Sequence, residues 1–508
     1  MGNFVKIYFW QIISIFFNFG NVFIVTPFIS SNSILYGVYS ILMSAYLFIS
    51  YADLGFLGAG MKYASESYAR KDREEEMRLL GFTGVVFLSF VSLFSLGLCV
   101  VAYDPGILIH GISSSEDLTT AKSLFLVLAL SCPIYVIQRI VQIIFAIRLM
   151  DFKFQRILIL SNILKILSSF LFFGGGAYNL VWFFITSNFL SALAVVVGIY
   201  IAKKEFDYNF LVFFKSLRFS KEIFQKTRTL AFTSLFLTVC WVLYYELDNF
   251  FIAKIFGANE VAKFAICLTV LSYFRALFGI LYSPFISKFN QLIGIKAHIQ
   301  LIDLFKKVLI GFMPIVVFPV LIVVLTADNF IMCWVGEKYS DSILITKIML
   351  SGYMFCFITN PTGILVMAYE KVRQLYVTSA LQPIVYWLGI GTTVNLFGLL
   401  SFAIFKFLAF LIESIVYIFI LIKSFKIPVS FFLNNIVKSI ILPILVIYFS
   451  VYLLKSYLPM SKGYFYLLIY FLEIGVIFIL SMLTYYFTSI VFRNFVKEKL
   501  ANFSLSKF

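Results

Sequence analysis

Four cations stand inside stretches of sequence otherwise too apolar to hold them: Arg139, Lys165, Arg275 and Lys406. A charged side chain at the centre of a bilayer costs about 2.5–3.5 kcal/mol on insertion scales, so each needs a partner or water. Their surroundings are patterned. At helical spacing Arg139 shares a face with Ser131, Tyr135 and Gln142, Lys165 with Asn162 and Ser169, and Arg275 with Ser272, Gly279 and Tyr282. A guanidinium binds phosphate oxygens in pairs and an ammonium group binds them as a point charge. The chemistry open to such a set is noncovalent: fixed donors replacing the water around an anionic headgroup. Buried ion pairing is the other reading. Glu246, Asp248, Glu413 and Glu473 lie in the same kind of stretch, and Lys406 and Glu413 fall on one helical face.

A second set is polar and aromatic. Gln11, Ser14, Asn18 and Asn21 form a stripe at i, i+3, i+7 and i+10. Much further along, Thr238, Trp241, Tyr245 and Asp248 repeat that spacing, which suggests an internal duplication of the kind transporters use. Rings with a polar tip, such as Trp241 and Tyr245, suit sugar faces; they also suit an interfacial aromatic belt. A carboxylate at this depth, Asp248 with Glu246 beside it, suits coupling to H⁺ or help in holding Na⁺. Cysteines 99, 132, 240, 267, 333 and 356 are scattered without metal or disulfide spacing, so no metal and no cofactor is expected.

The elements that position these residues follow from composition. Of 508 residues, 62% are hydrophobic and only 13% charged, with a mean hydropathy of +1.00. A soluble chain of this size carries about a quarter charged residues. The net charge of +16 sits in short clusters between apolar runs. It does not line one soluble face, as in a nucleic-acid-binding domain. The runs are too long and too unbroken for an outer-membrane barrel. Helices are then the only form that satisfies the backbone in lipid.

About fourteen spans are expected, at 7–29, 34–56, 80–103, 121–147, 155–174, 178–202, 229–253, 261–287, 306–327, 342–368, 374–394, 399–422, 436–456 and 464–491. The turns near 29–34 and 394–399 have to be very short. The large majority of the 40 Lys and Arg fall in loops on one side, which makes both termini cytoplasmic. The first run is read as a span rather than a cleaved signal. The expected architecture is an all-α membrane protein with lobes at 1–225 and 226–425 around a central cleft, and a terminal helix pair with its tail at 426–508. No loop is large enough for a separate catalytic domain, so enzymatic activity is not expected.

Several segments resemble a known family. The order Tyr36-Gly37-Val38-Tyr39, Asp53-Leu54-Gly55-Phe56-Leu57-Gly58 and Lys62-Tyr63-Ala64 resembles the second-helix pattern of polysaccharide flippases. Asp248 through Gly257, reading D-x-x-x-I-x-x-x-x-G, is similar to their seventh-helix signature. Trp334-Val335-Gly336-Glu337-Lys338-Tyr339 looks like their outer W-x-G-x-x-Y turn, and Pro361 with Ala368-Tyr369-Glu370-Lys371 resembles the end of their tenth helix. These are the Wzx-type O-antigen or polysaccharide repeat-unit flippases of the multidrug/oligosaccharidyl-lipid/polysaccharide exporter superfamily.

The resemblance implies alternating access, an undecaprenyl-diphosphate-linked oligosaccharide as cargo, and a place in a bacterial cytoplasmic membrane. It also implies a lipopolysaccharide or related export setting, with a polysaccharide polymerase and a chain-length regulator as partners beside the membrane lipids. Arg139, Lys165, Arg275 and Lys406 would line the cationic cleft, together with Gln11, Asn18, Asn21, Gln142, Trp241 and Tyr245. Asp53, Gly55, Gly257, Trp334 and Gly336 enter as motif members. A multidrug cation antiporter of the same superfamily is the alternative, opposed by the four intramembrane cations. A membrane polymerase or glycosyltransferase is opposed by the short outer loops.

Overall fold

The structure, a computed structural model, describes residues 3–51, 55–112, 114–494 and 496–497. Among them there is no strand. The chain divides into two compact units, Met1–Ala265 and Ile266–Phe508.

The first unit contains α1 (Asn3–Ile29), α2 (Ser33–Tyr51), α3 (Phe56–Ala69), α4 (Arg73–Tyr103), α5 (Ser115–Ile147), α6 (Asp151–Phe173) and α7 (Leu180–Phe206). It continues with α8 (Phe210–Lys215), α9 (Lys221–Tyr245), α10 (Asp248–Phe256) and the start of α11 (Ala258–Gly294). The helices begin where the sequence offers caps. The Asp72 side chain accepts from the Glu75 amide, and Glu74, Glu75 and Glu76 lie at the positive end of α4. Asn32 accepts from the Ile34 and Leu35 amides, which makes the very short turn before α2 feasible. Inside the unit α1 packs on α6, α6 on α7, and α5 on both α4 and α7.

The second unit holds the remainder of α11, then α12 (His298–Leu325), α13 (Ala327–Trp334), α14 (Ser342–Tyr353), α15 (Cys356–Ala368), α16 (Val372–Phe397) and α17 (Leu400–Ser424). α18 (Val429–Phe432) runs through a π turn into α19 (Lys438–Leu454), and α20 (Tyr464–Thr488) follows. Gly398, with φ of 56°, makes the tight corner between α16 and α17.

Among the described residues each of the fourteen expected stretches is mainly helical. Among the described residues eleven helices are long and apolar enough to cross a membrane, twelve if the bent pair α14–α15 counts as one. The shorter α2 and the more polar α16 occupy the other two stretches. The pair α14–α15 bends by 42° between Tyr353 and Cys356, inside the expected span 342–368 and ahead of Pro361. A second break, at Glu246–Leu247, separates α9 from α10.

The boundary between these two compact units lies within α11. The reason is packing: α9 and α10 pack on α2 and α3 of the first unit. The terminal pair belongs to the second unit, since α19 and α20 pack on α12, and α20 also on α13. Buried hydroxyls fix it there, with Tyr470 paired to Thr326 at 2.8 Å and Tyr485 donating to the Ile310 carbonyl.

Candidate functional site

In the first unit the polar residues of α1, α5, α6 and α7 join into a belt. Asn162 Nδ2 on α6 donates to Asn18 Oδ1 on α1 at 2.6 Å. One turn along α6, Lys165 Nζ donates to Ser191 Oγ on α7 at 2.8 Å. One turn back along α7, Asn188 Oδ1 accepts from the Tyr135 hydroxyl on α5. The Tyr135 ring packs against Tyr46 of α2, centroids 4.3 Å apart. Arg139, one turn beyond Tyr135, donates from Nη1 to Gln142 Oε1 at 3.2 Å. The helical repeat explains the arrangement: residues three and four apart share a face, so each helix adds two rungs.

The electrostatics of the belt are unusual for hydrocarbon depth. Lys165 and Arg139 are half-buried, and neither has a carboxylate within ion-pair distance among the described residues. Their partners are a neutral hydroxyl and a neutral amide. An ammonium has three donors and a guanidinium five, so most of this donor capacity is left for something else. Asn21 Oδ1, Ser161 Oγ and Ser187 Oγ are buried without a hydrogen-bond partner. Buried polar atoms of this kind point to water or a ligand. Gln11 and Asn21 lie on α1, both half-buried.

The aromatic–carboxylate set sits at the broken seventh span. Trp241 and Tyr245 lie ring to ring at 4.3 Å, and Trp241 keeps 38% exposure whereas Tyr245 is buried. Glu246 and Asp248 flank the break and are both buried and engaged by neighbouring groups. Asn249 Nδ2, next in α10, donates to Ser44 Oγ on α2 at 2.8 Å. The interruption falls where two carboxylates two residues apart enter a stretch that is otherwise apolar.

The family-motif residues shape turns. Gly55, Gly257 and Gly336 all have positive φ, at 77°, 86° and 91°. A Cβ on Gly257 would also stand 2.6 Å from the His110 carbonyl oxygen. Trp334 is 1% exposed and stacks on Phe330. Asp53 lies outside the described residues.

Arg275 and Lys406 belong to the second unit. Lys406 is buried and lies 5.1 Å from the centre of the Tyr386 ring. The ion pair open to Lys406 and Glu413 does not form. Glu413 Oε2 instead accepts from Gln382 Nε2 on α16 at 2.8 Å. Glu473 on α20 pairs with no cation among the described residues, and its Oε2 is buried without a hydrogen bond.

One buried ion pair went unforeseen. Arg148 Nη2 meets Glu76 Oε1 at 2.8 Å, with side-chain exposures of 2% and 0%. The guanidinium is boxed by the rings of Tyr68, Phe206 and Tyr208, centroids 4.8, 5.3 and 5.4 Å away. Burial first, and the Glu76 carboxylate second, push the Tyr208 hydroxyl well above its ordinary pKa. Both charges lie outside the expected spans; the acidic run Glu74–Glu76 within a basic stretch is the available signal.

The described residues contain no group of three or more His, Cys, Asp or Glu that could hold a metal ion. The sequence matches no protein-family model, and comparison with curated proteins gives no match either. Solved structures are similar in fold. One, of the lipid II flippase MurJ in an inward closed conformation, has a TM-score of 0.69 at 16% identity, covering 95% of this chain and 98% of that one. Another, an inward-facing multidrug resistance MATE family transporter of the MOP superfamily, has a TM-score of 0.59 at 13% identity, covering 82% and 97%. The chain therefore has a multi-pass membrane fold like that of MOP-superfamily transporters.

Proposed function

We propose that this protein is a flippase for an anionic, lipid-linked glycan, with an undecaprenyl-diphosphate-linked oligosaccharide as cargo. The observation that carries the reading is the pair Arg139 and Lys165, held in a polar belt by neutral partners only. A diphosphate crossing hydrocarbon has to exchange its water for fixed donors, and these two side chains supply them. Asn18, Asn162 and Gln142 offer amides of the kind that sugar hydroxyls pair with. The fold similarity to a lipid II flippase over nearly the full length of both chains supports the same reading.

The substrate class is the Wzx-type one: a repeat unit of O-antigen or a related polysaccharide, moved from the inner to the outer leaflet of a bacterial cytoplasmic membrane. No bond is made or broken, so the role is transport and not catalysis. The belt is exposed alternately to the two sides, in exchange for H⁺ or Na⁺. Both termini are cytoplasmic, and a polymerase with its chain-length regulator consumes the product. A multidrug antiporter, the other reading the fold allows, requires an acidic lumen for cationic drugs; cations without carboxylates favour an anionic cargo.

A strain lacking the protein tests this. Lipid-linked repeat units accumulating in the inner leaflet, with loss of surface polymer, is the expected result. Unpolymerised units on the outer leaflet would instead assign the chain to a later enzymatic step.

A further inference from the structure

Glu413 is a carboxyl group inside the second unit, 8% exposed, on the apolar helix α17. An isolated buried carboxylate costs several kcal/mol unless it is paired or carries a proton. No cation pairs with it among the described residues; Lys406, two turns away, lies against the Tyr386 ring. Its hydrogen-bond partner is the amide of Gln382 on α16. An amide has both a donor and an acceptor end. As drawn, Gln382 donates to the carboxylate; turned over, its carbonyl accepts from the protonated acid. A lysine partner would hold Glu413 ionised. This partner accommodates both forms.

The pair is also the first rung of a ladder between α16 and α17. One turn away, the Tyr417 hydroxyl donates to Thr378 Oγ1 at 3.2 Å. Beyond it, Gln374 Nε2 donates to Ser424 Oγ at 2.9 Å, while Gln374 Oε1 is buried without a partner. The ladder ends beside Lys371, Lys423 and Lys426, at the basic end of both helices. Of the other titratable groups nearby, Cys356 on α15 lies within electrostatic reach of the carboxyl, and Tyr353 on α14 lies against the ring of Phe410, one turn from Glu413 on α17. None of these brings a positive charge.

We propose that Glu413 is a proton-exchange site, served from the basic end of α16 and α17 through the Tyr417–Thr378 and Gln374–Ser424 rungs. The exchange is simple: the neutral acid releases a proton to water at the end of the ladder and is left as a carboxylate accepting from Gln382; uptake reverses this. Coupling of that exchange to cargo movement rests on the transport reading above.

Infrared difference spectra of the purified full chain, wild type minus Glu413→Gln, test the site without any transport. A carbonyl stretch of a protonated carboxyl is expected at neutral pH, shifting promptly in D₂O. In Tyr417→Phe the band is expected to persist with a slowed shift. Absence of the band, or an unchanged exchange rate in Tyr417→Phe, would overturn the proposal. In liposomes, flipping by the wild type is expected to respond to an imposed proton gradient, and Glu413→Gln to lose that response. A full response in Glu413→Gln would also overturn it. No flipping by the wild type under any gradient would sink the transport reading, while the spectra would still decide the site.

Discussion

Lys165 Nζ on α6 donates to Ser191 Oγ on α7, and no carboxylate among the described residues stands within ion-pair distance of that ammonium. A lysine held at membrane depth by a hydroxyl alone is expensive as structure. It becomes economical when an anion passes it, because the cost of bringing the cation into the membrane is then offset by a charge-assisted contact.

Lys165→Met should therefore weaken binding of an undecaprenyl diphosphate glycan by roughly ten- to a hundredfold, about 1.5–3 kcal/mol. Met keeps the apolar stem and its packing, so protein levels should hold. Titration of the lipid in detergent measures this. Ser191→Ala, which removes only the neutral partner, should cost far less.

Removing one side of the Arg148–Glu76 pair is a stability experiment. Arg148→Met leaves a carboxylate at 0% exposure without its main partner and should cost about 3–5 kcal/mol. The double variant Arg148→Met with Glu76→Leu should recover much of that loss, since no lone charge remains. Thermal unfolding of the detergent-purified protein reads both. Additive losses in the double variant would show that the ion pair is not the source.

Gly257→Ala places a side chain where φ is +86° and a carbonyl oxygen waits 2.6 Å away. About 1–3 kcal/mol of strain is expected, seen as a lowered unfolding temperature. Gly97→Ala on α4, where a Cβ meets nothing within 4 Å, should be neutral or slightly stabilising.

How much of this was legible follows from what a helix repeat encodes. Apolar runs must become helices in lipid, so among the described residues the fourteen stretches are mainly helical, with short turns at Asn32 and Gly398. Same-helix faces follow from spacing: Arg139 donates to Gln142 three residues on, while Asn162 and Lys165 of α6 reach across to Asn18 and Ser191. Partners across helices were not. Spacing pointed Glu413 toward Lys406 on its own helix, whereas the packing of α16 gives it Gln382. Arg148 and Glu76 meet across a long sequence separation.

Asp328, at the start of α13, fixes the hairpin between α19 and α20 through Lys455, at 2.9 Å, and also meets Lys347 on α14. Burial pushes its carboxyl upward, but hydrogen bonds from Lys347 and Lys455 outweigh this and hold it below its ordinary value. A lowered native pKa gives stability that is present above the unfolded value of about 3.9 and is lost as pH falls through the native one. The pair is partly exposed, so no more than about 1 kcal/mol is expected. Protection of the amides of residues 455–463, taken relative to their intrinsic exchange rates, should stay level through neutral pH and fall only in strong acid, and Lys455→Ala should blunt that fall.

The most direct measurement is flipping by the purified chain in liposomes that carry a fluorescent undecaprenyl-diphosphate-linked oligosaccharide. Transfer between leaflets faster than in protein-free vesicles, and lost in the Arg139→Gln, Lys165→Met double variant, is the result the account expects. Equal transfer with and without that double substitution would contradict it.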